Sequence, residues 1–377
     1  MTTLLRQGFG GQAAQQLSAD FPLWLAPMAG VTDSIFRGLC RELGADVVVT
    51  EFVSADGIMH RNQRTREMIQ FAETERPVGV QLFGADPHKL ADAARAVGDW
   101  VNPDFIDLNF GCPVNKVVAK HGGSALLRDC PLLGQIAHAV VKAASPRPVT
   151  AKIRLGWDDQ SINARTTARI LEDSGIQLIA VHGRTREQSY SGTANWLEIA
   201  AVAEAVTVPV IGNGDIRSAK DILERCAGTR IAGAMIGRAA MTAPWLFNQI
   251  RTYLSEGYLP PDPPLESRWD HIIRHCRLAV AASRCPSEDA LTTDVERTCR
   301  AVLSAVALAE GEALAKAEYH IMSSMRGRLM AYTKGMPVSK QLRERIQKID
   351  SLTGIEDLAA EHLAWCEANA TEEQVLS

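Results

Sequence analysis

Polar residues of a few types stand at or just past the ends of short apolar runs along this 377-residue chain. Gln81 falls near the end of the run 78–82, and Asn109 ends the run 105–109, with Gly111-Cys112-Pro113 close behind. Lys152 falls near the end of 149–153, and His182-Gly183-Arg184 follows 178–182. The run 208–212 leads into Asn213-Gly214-Asp215, and 231–236 into Gly237-Arg238. Any one of these suits a cap or a turn. Six in register argue for a site.

Lysine at the end of an apolar run places a cation where desolvation is costly unless an anion meets it. A reduced flavin is such an anion, and a cation beside its pyrimidine edge stabilises the charge that reduction adds. The alternative for Lys152 is an ion pair with a neighbouring carboxylate such as Glu51. The stretches Gly212–Asp215 and Gly237-Arg238 suit phosphate: glycine lets backbone N–H groups approach an anion, and the Arg238 guanidinium offers a fork to its oxygens. Their alternative is a pair of tight turns that use glycine for positive φ. Cys112 lies in a loop pattern. Its thiol, with an ordinary pKa near 8.5, is mostly protonated at neutral pH and can donate a proton, whereas a nucleophilic role needs a base such as His182 close by. Cys40, Cys130, Cys226, Cys276, Cys285, Cys299 and Cys366 fall in or beside helix-like segments and read as small core residues.

Eight short runs read as the buried strands that position these groups: 23–26, 47–50, 78–82, 105–109, 149–153, 178–182, 208–212 and 231–236. Helix-period segments such as 88–97, 132–144 and 162–175 fill the gaps between them. Apolar strands alternating with amphipathic helices predict a parallel sheet. Eight such units closing on themselves make a (β/α)8 TIM barrel, with a doubly wound open sheet as the alternative that spacing alone does not separate. In a barrel the strand ends and the loops after them build the active site, and phosphate commonly sits after the seventh and eighth strands.

Four prolines within residues 259–264 mark a domain boundary, since proline neither continues a helix nor pairs inside a sheet. Beyond it Ile321, Met325 and Leu329 step by four with Met322 beside them, which predicts a small helical bundle with Gly335 and Gly354 as stops. The expected organisation is a flexible leader over 1–20, a catalytic barrel over 21–258 and a helical domain over 265–377. Between His320 and Asp350, Arg326, Arg328, Lys334, Lys340, Arg343, Arg345 and Lys348 face only Glu344 and Asp350, a local +5 in a chain of net charge −4. The guanidiniums of Arg326 and Arg328, on either side of Gly327, are expected to project together from the packed face. Outside this segment the charge gives no signal for nucleic acid.

At 46% hydrophobic and 22% charged residues, the composition is that of an ordinary globular protein. No apolar stretch is long enough to span a membrane, and the first twenty residues carry no secretory apolar segment. Eight cysteines without a CxxC pair or Cys/His ligand spacing argue against a disulfide framework, a zinc site or an iron–sulfur motif. A reduced cytoplasmic compartment is the expectation.

Taken together, these residues identify a resemblance: the chain is similar to the bacterial tRNA-dihydrouridine synthases, flavin enzymes that reduce uridine in tRNA. The likeness is carried by Ala26-Pro-Met-Ala-Gly-Val-Thr-Asp33, Val80-Gln-Leu-Phe-Gly84, Asp107-Leu-Asn-Phe-Gly-Cys-Pro113, Gly123-Ser-Ala-Leu-Leu127, Lys152-Ile-Arg154, His182-Gly-Arg-Thr185, Asn213-Gly-Asp215 and Ile236-Gly-Arg-Ala-Ala240. It covers the chain from about Leu23 to Ile250 and is weaker beyond. The resemblance implies that Pro27, Met28 and Ala29 lie against FMN, with Gln81 and Lys152 on the ring's polar edge and His182 near it. It implies that Asn213, Gly214, Asp215, Gly237 and Arg238 hold the phosphate, and that Asn109 helps place the uracil. Arg184, Arg326 and Arg328 are expected on the tRNA side, with no metal. The implied reaction is ping-pong: NADPH reduces FMN, a flipped-out uridine then takes a hydride from flavin N5 at C6, and Cys112 protonates C5. The helical domain is longer than the family's commonest version, and the leader has no counterpart in it.

Three other classes compete. An FMN barrel acting on a small pyrimidine, such as a dihydroorotate or dihydropyrimidine dehydrogenase, shares the flavin but has no use for a basic helical tail. A phosphate-sugar isomerase would share only the phosphate loops. A non-catalytic RNA-binding barrel would need neither Cys112 nor Lys152. No obligate protein partner is inferred.

Overall fold

A computed structural model describes residues 17–60, 62–283 and 312–375. Most of the expected leader, together with Cys285 and Cys299, lies outside the described residues.

All eight expected runs form strands, because each is apolar enough to be buried on both faces. They are β1 (Leu23–Leu25), β2 (Val48–Val49), β3 (Val78–Phe83), β4 (Phe105–Phe110), β5 (Val149–Arg154), β6 (Ile179–His182), β7 (Val210–Asn213) and β8 (Ile231–Ile236). Every pairing is parallel and follows chain order, and β1 pairs with β8. The remaining gap is bridged at Trp24 and Val47, where the Leu25 N–H donates to the Val47 carbonyl at 2.9 Å. The sheet is therefore a closed barrel, which excludes the open doubly wound arrangement. A further short segment, Val53–Ser54, pairs with the end of β3.

Trp24, Val47, Phe105, Ile211 and Met235 belong to one buried cluster, with the rings of Trp24 and Phe105 edge to face at 5.8 Å. Burying a ring of this size stabilises by about 1.5 to 3 kcal/mol. Gly79 makes room for it: a Cβ there would lie 2.2 Å from the Phe105 ring. Acidic N-caps start three of the helices of the barrel. Asp33, Asp86 and Asp129 each accept a backbone N–H, from Phe36, from His88 and Lys89, and from Leu132. Arg37 and Glu75, both fully buried, pair at 2.6 Å and tie the first of these helices to the segment before β3.

The chain divides into two compact units, one holding the residues up to Ala240 with Leu246–Pro260, the other Met241–Trp245 with the chain from Pro261 onward. The second unit is helical, built from Leu265–Ala282, Glu312–Tyr332, Ser339–Ile346 and Leu352–Val375 around Trp269, Met322, Leu329, Tyr332, Ile355 and Leu358. Several polar groups inside it are paired. Trp269 Nε1 donates to His362 Nδ1 at 3.0 Å, and His275 bonds Tyr332 Oη at 2.9 Å through Nδ1.

Two expectations for this unit need correction. Gly335, at φ +80°, follows the end of Glu312–Tyr332 as expected. Gly354 does not stop a helix, because it sits in the first turn of Leu352–Val375, where its N–H donates to Ser351 Oγ at 3.2 Å. Arg328 does not project beside Arg326. It is 8% exposed, and its Nη1 meets His275 Nε2 at 3.0 Å, because burying an arginine requires such partners. Arg326 is half-buried and donates from Nε to the Ile349 carbonyl at 2.8 Å, while Lys334, Lys340, Arg343, Arg345 and Lys348 are exposed. No helix among the described residues is long and apolar enough to cross a membrane.

Candidate active site

The C-terminal ends of β3 to β8 carry the expected residues, and parallel register sets them side by side. Asn109 stands opposite Lys152, and His182 opposite Asn213. Gln81 is fully buried, with Nε2 donating to Asp107 Oδ2 at 2.6 Å and Oε1 accepting from Asn109 Nδ2 at 2.7 Å. Asn109 Oδ1 in turn accepts the N–H of Gly111 at 3.0 Å and of Cys112 at 2.9 Å. The loop that presents the cysteine thus hangs from a strand side chain.

Cys112 is 7% exposed, and burial pushes its thiol above the ordinary range. The Cys112 carbonyl accepts Ser124 Oγ at 2.8 Å and the Ser124 N–H at 3.1 Å. Gly123, at φ +59°, permits this approach, since a Cβ there would lie 2.9 Å from the Cys112 oxygen. No hydrogen bond joins the thiol to His182 among the described residues, and burial outweighs the opposing pull of the Val114 backbone, Arg154 and Lys152. An acid that remains protonated at neutral pH is what this environment makes.

Lys152 is half-buried, and no hydrogen bond or ion pair holds its Nζ among the described residues, Glu51 included. Burial together with Arg154 pushes the amine down to about 8. His182 is buried, and desolvation reinforced by Lys152, Arg154, Arg184 and Arg238 keeps the ring neutral, far below its usual value.

The loops after β7 and β8 contain the glycine turns. Gly214 has φ +130°, and a Cβ on it would lie 2.6 Å from Ala194 Cβ. Asn213 Nδ2 donates to the Met235 carbonyl at 2.7 Å, locking the end of β7 to β8. The carboxylate of Asp215 faces cations rather than an anion, with Oδ2 on Arg184 at 2.6 Å and Oδ1 on Arg238 at 3.0 Å. Its side chain therefore positions Arg238. Arg238 itself is half-exposed and lies over the Tyr190 ring at 5.0 Å.

Arg184 departs from its expected place on the tRNA side. At 1% exposure it is spent on Asp215, the Ser191 and Gly192 carbonyls and His182 Nε2. Pro27 and Met28 are partly exposed and Ala29 is exposed, with Thr32 Oγ1 fastening Met28 N at 2.9 Å.

Several residues of the site escaped notice in the sequence. Arg154, 2% exposed, donates from Nε to the Gly111 carbonyl and from Nη1 to those of Thr185 and Ser189, joining the cysteine loop to the loop after β6. The exposed Tyr190 lies between the guanidiniums of Arg154 and Arg238. Asp107 and Thr150 lie beneath Gln81, bonded to each other at 2.6 Å. The Lys-x-Arg pattern pointed to Arg154, whereas Tyr190 and Thr150 carried no signal.

Two of these residues could serve a flavin. Lys152 offers a cation that no described residue pairs, and Asn109, 8% exposed, keeps one side-chain N–H for which no acceptor is found among the described residues. Among the described residues no group of three or more His, Cys, Asp or Glu could hold a metal.

Comparison with known proteins gives these residues a context. The family described as dihydrouridine synthase matches residues 24–365. A probable tRNA-dihydrouridine synthase of Rickettsia bellii is 45% identical over 260 residues, covering 68% of this chain and 78% of its own. The tRNA-dihydrouridine synthase B of Xanthomonas campestris is 44% identical over 251 residues, 67% of this chain and 75% of that one. That of Pseudomonas syringae is 46% identical over 239 residues, 63% and 70%.

Proposed function

The chain belongs to the dihydrouridine synthase family, and on that footing we propose that it reduces uridine in tRNA to 5,6-dihydrouridine with noncovalent FMN and with NADPH as electron donor. One observation carries the chemistry: a buried thiol, its pKa pushed up by that burial, on a loop suspended from Asn109, at the same end of the barrel as the Lys152 amine, which no described residue pairs.

Lys152 and Gln81 would hold the polar edge of the flavin, Pro27, Met28 and Ala29 its face, and the backbone of Asn213, Gly214 and Gly237 with Arg238 its phosphate. When bound, the flavin supplies the hydride. The protein's own part is to orient the uracil through the spare N–H of Asn109, which requires a carbonyl acceptor, and to deliver a proton from Cys112 Sγ to C5. His182, held neutral, adds no charge beside the ring. Arg184 and Asp215 keep Arg238 in position. The exposed cations from Lys334 to Lys348 would bind tRNA phosphates. With tRNA as its substrate, the enzyme would work in the cytoplasm.

The test is to map dihydrouridine by mass spectrometry in tRNA from cells lacking this protein. One or more positions should revert to uridine and be restored by the wild-type gene. A complete and unchanged set of dihydrouridines would sink the reading, and so would a purified protein that takes up no flavin.

A further inference from the structure

Four side chains share one run of hydrogen bonds: the Gly111 and Cys112 N–H groups donate to Asn109, Asn109 donates to Gln81, Gln81 donates to Asp107, and Thr150 meets Asp107 from the other side. An amide side chain can be turned either way, so something must set the direction. The Gly111 and Cys112 N–H groups can only donate, which obliges Asn109 to present Oδ1 to them and Nδ2 to Gln81. Gln81 must then present Oε1 to Asn109 and Nε2 to Asp107. The chain is satisfied only if the residue at 107 accepts there.

We infer that Asp107 is a positioning residue whose Oδ2 fixes the direction of this chain, and thereby the orientation of the Gln81 and Asn109 amides and the seat of the Cys112 loop. The inference rests on the proposed reaction for its consequence and on the bond geometry for its existence. The acceptor at 107 need not be charged. With a proton on Oδ1 directed at Thr150 Oγ1, Oδ2 still accepts from Gln81, and burial favours that neutral form. Asp107 faces Thr150 and Lys152 on β5 and Gln81 on β3, and no salt bridge among the described residues claims its carboxylate.

Direction and charge make different demands. Asp107→Asn can keep an oxygen toward Gln81 while its N–H₂ donates to Thr150, whose hydroxyl then accepts. Asp107→Leu has no acceptor and leaves Gln81 Nε2 stranded. Thr150→Val is tolerated by the wild-type acid, which can give up its proton and still accept from Gln81, but not by Asn, whose N–H₂ cannot be shed and needs that hydroxyl.

Two readouts test this, one of them independent of flavin. Hydrogen exchange of the Gly111 and Cys112 amides in the flavin-free protein should match wild type in Asp107→Asn and rise about tenfold or more in Asp107→Leu, as loss of a buried hydrogen bond implies. Single-turnover reduction of tRNA uridine by pre-reduced enzyme should follow the same order. If Asp107→Leu does not fold, the double variant Asp107→Asn/Thr150→Val decides, since its loss in both readouts should exceed the product of the single losses. Equal loss in Asp107→Asn and Asp107→Leu would show that charge matters and overturn the inference, as would multiplicative behaviour of the double variant. Failure of the proposed reaction looks different, because wild type itself would then reduce no uridine while the exchange pattern stayed as described.

Discussion

Arg184 and Asp215 form an ion pair of 2.6 Å whose side chains are 2% and 8% exposed, and through it a residue of the loop after β6 sets the position of Arg238 after β8. The pair is buried among the loops after β6 and β7. Arg184→Ala should leave the buried carboxylate with only Arg238 and the Ala194 N–H as partners and cost about 2 kcal/mol, the worth of a charged hydrogen bond. Chemical denaturation of flavin-free protein should show this loss directly. A variant of wild-type stability with a raised KM for tRNA would return Arg184 to the substrate side.

Cys112→Ala should leave NADPH oxidation by the flavin nearly intact while slowing uridine reduction by about 10²- to 10⁴-fold, the usual worth of a general acid. The acid works while protonated, so the uridine step in the wild type should hold its rate through neutral pH. Because burial raises the thiol's pKa, the decline should begin only above the ordinary thiol range. Stopped-flow measurement of each half-reaction across pH separates the two steps. An equal loss in both would show that the thiol has another role.

Lys152 titrates at about 8 in the flavin-free protein, so it is a cation below that pH and neutral above it. FMN affinity should therefore be greatest below pH 8 and weaken as pH rises through it. Lys152→Met should lower affinity about tenfold or more, in keeping with loss of a charged hydrogen bond, and should abolish the pH dependence. Fluorescence titration of the flavin-free protein measures both. A pH-independent wild type would mean that Lys152 does not meet the ring.

The helical unit separates two kinds of arginine. Replacing Lys334, Arg343 and Lys348 by Ala should weaken tRNA binding and reduce its log–log salt slope by roughly 0.7 to 0.9 for each phosphate no longer neutralised, with FMN content unchanged. Arg328→Ala should leave that slope alone and lower the melting temperature, since it removes the buried partner of His275. A salt slope unaltered in the triple variant would show that these cations form only a solvated face.

By itself the sequence determined the eight-stranded rhythm, because strands buried on both faces must be apolar and the helices between them amphipathic. It pointed to the break near Pro260 as well, and it singled out Cys112, Lys152, His182 and the glycine turns as candidates, since a cation at the end of an apolar strand is costly without an anion and glycines let backbone approach one. Closure of the barrel was not legible. It depends on one bridge between Trp24 and Val47, and an open sheet would show the same spacing. Nor could the sequence sort the cations. Arg184, Arg238, Arg326 and Arg328 look alike as letters, yet Arg184 and Arg328 are buried with their partners, Arg326 is half-buried and Arg238 is half-exposed. Which way a guanidinium turns depends on carbonyls and carboxylates that arrive from distant strands and helices. The same holds for Asp107 and Thr150, 43 residues apart, which only the parallel register of β4 and β5 brings together beneath Gln81.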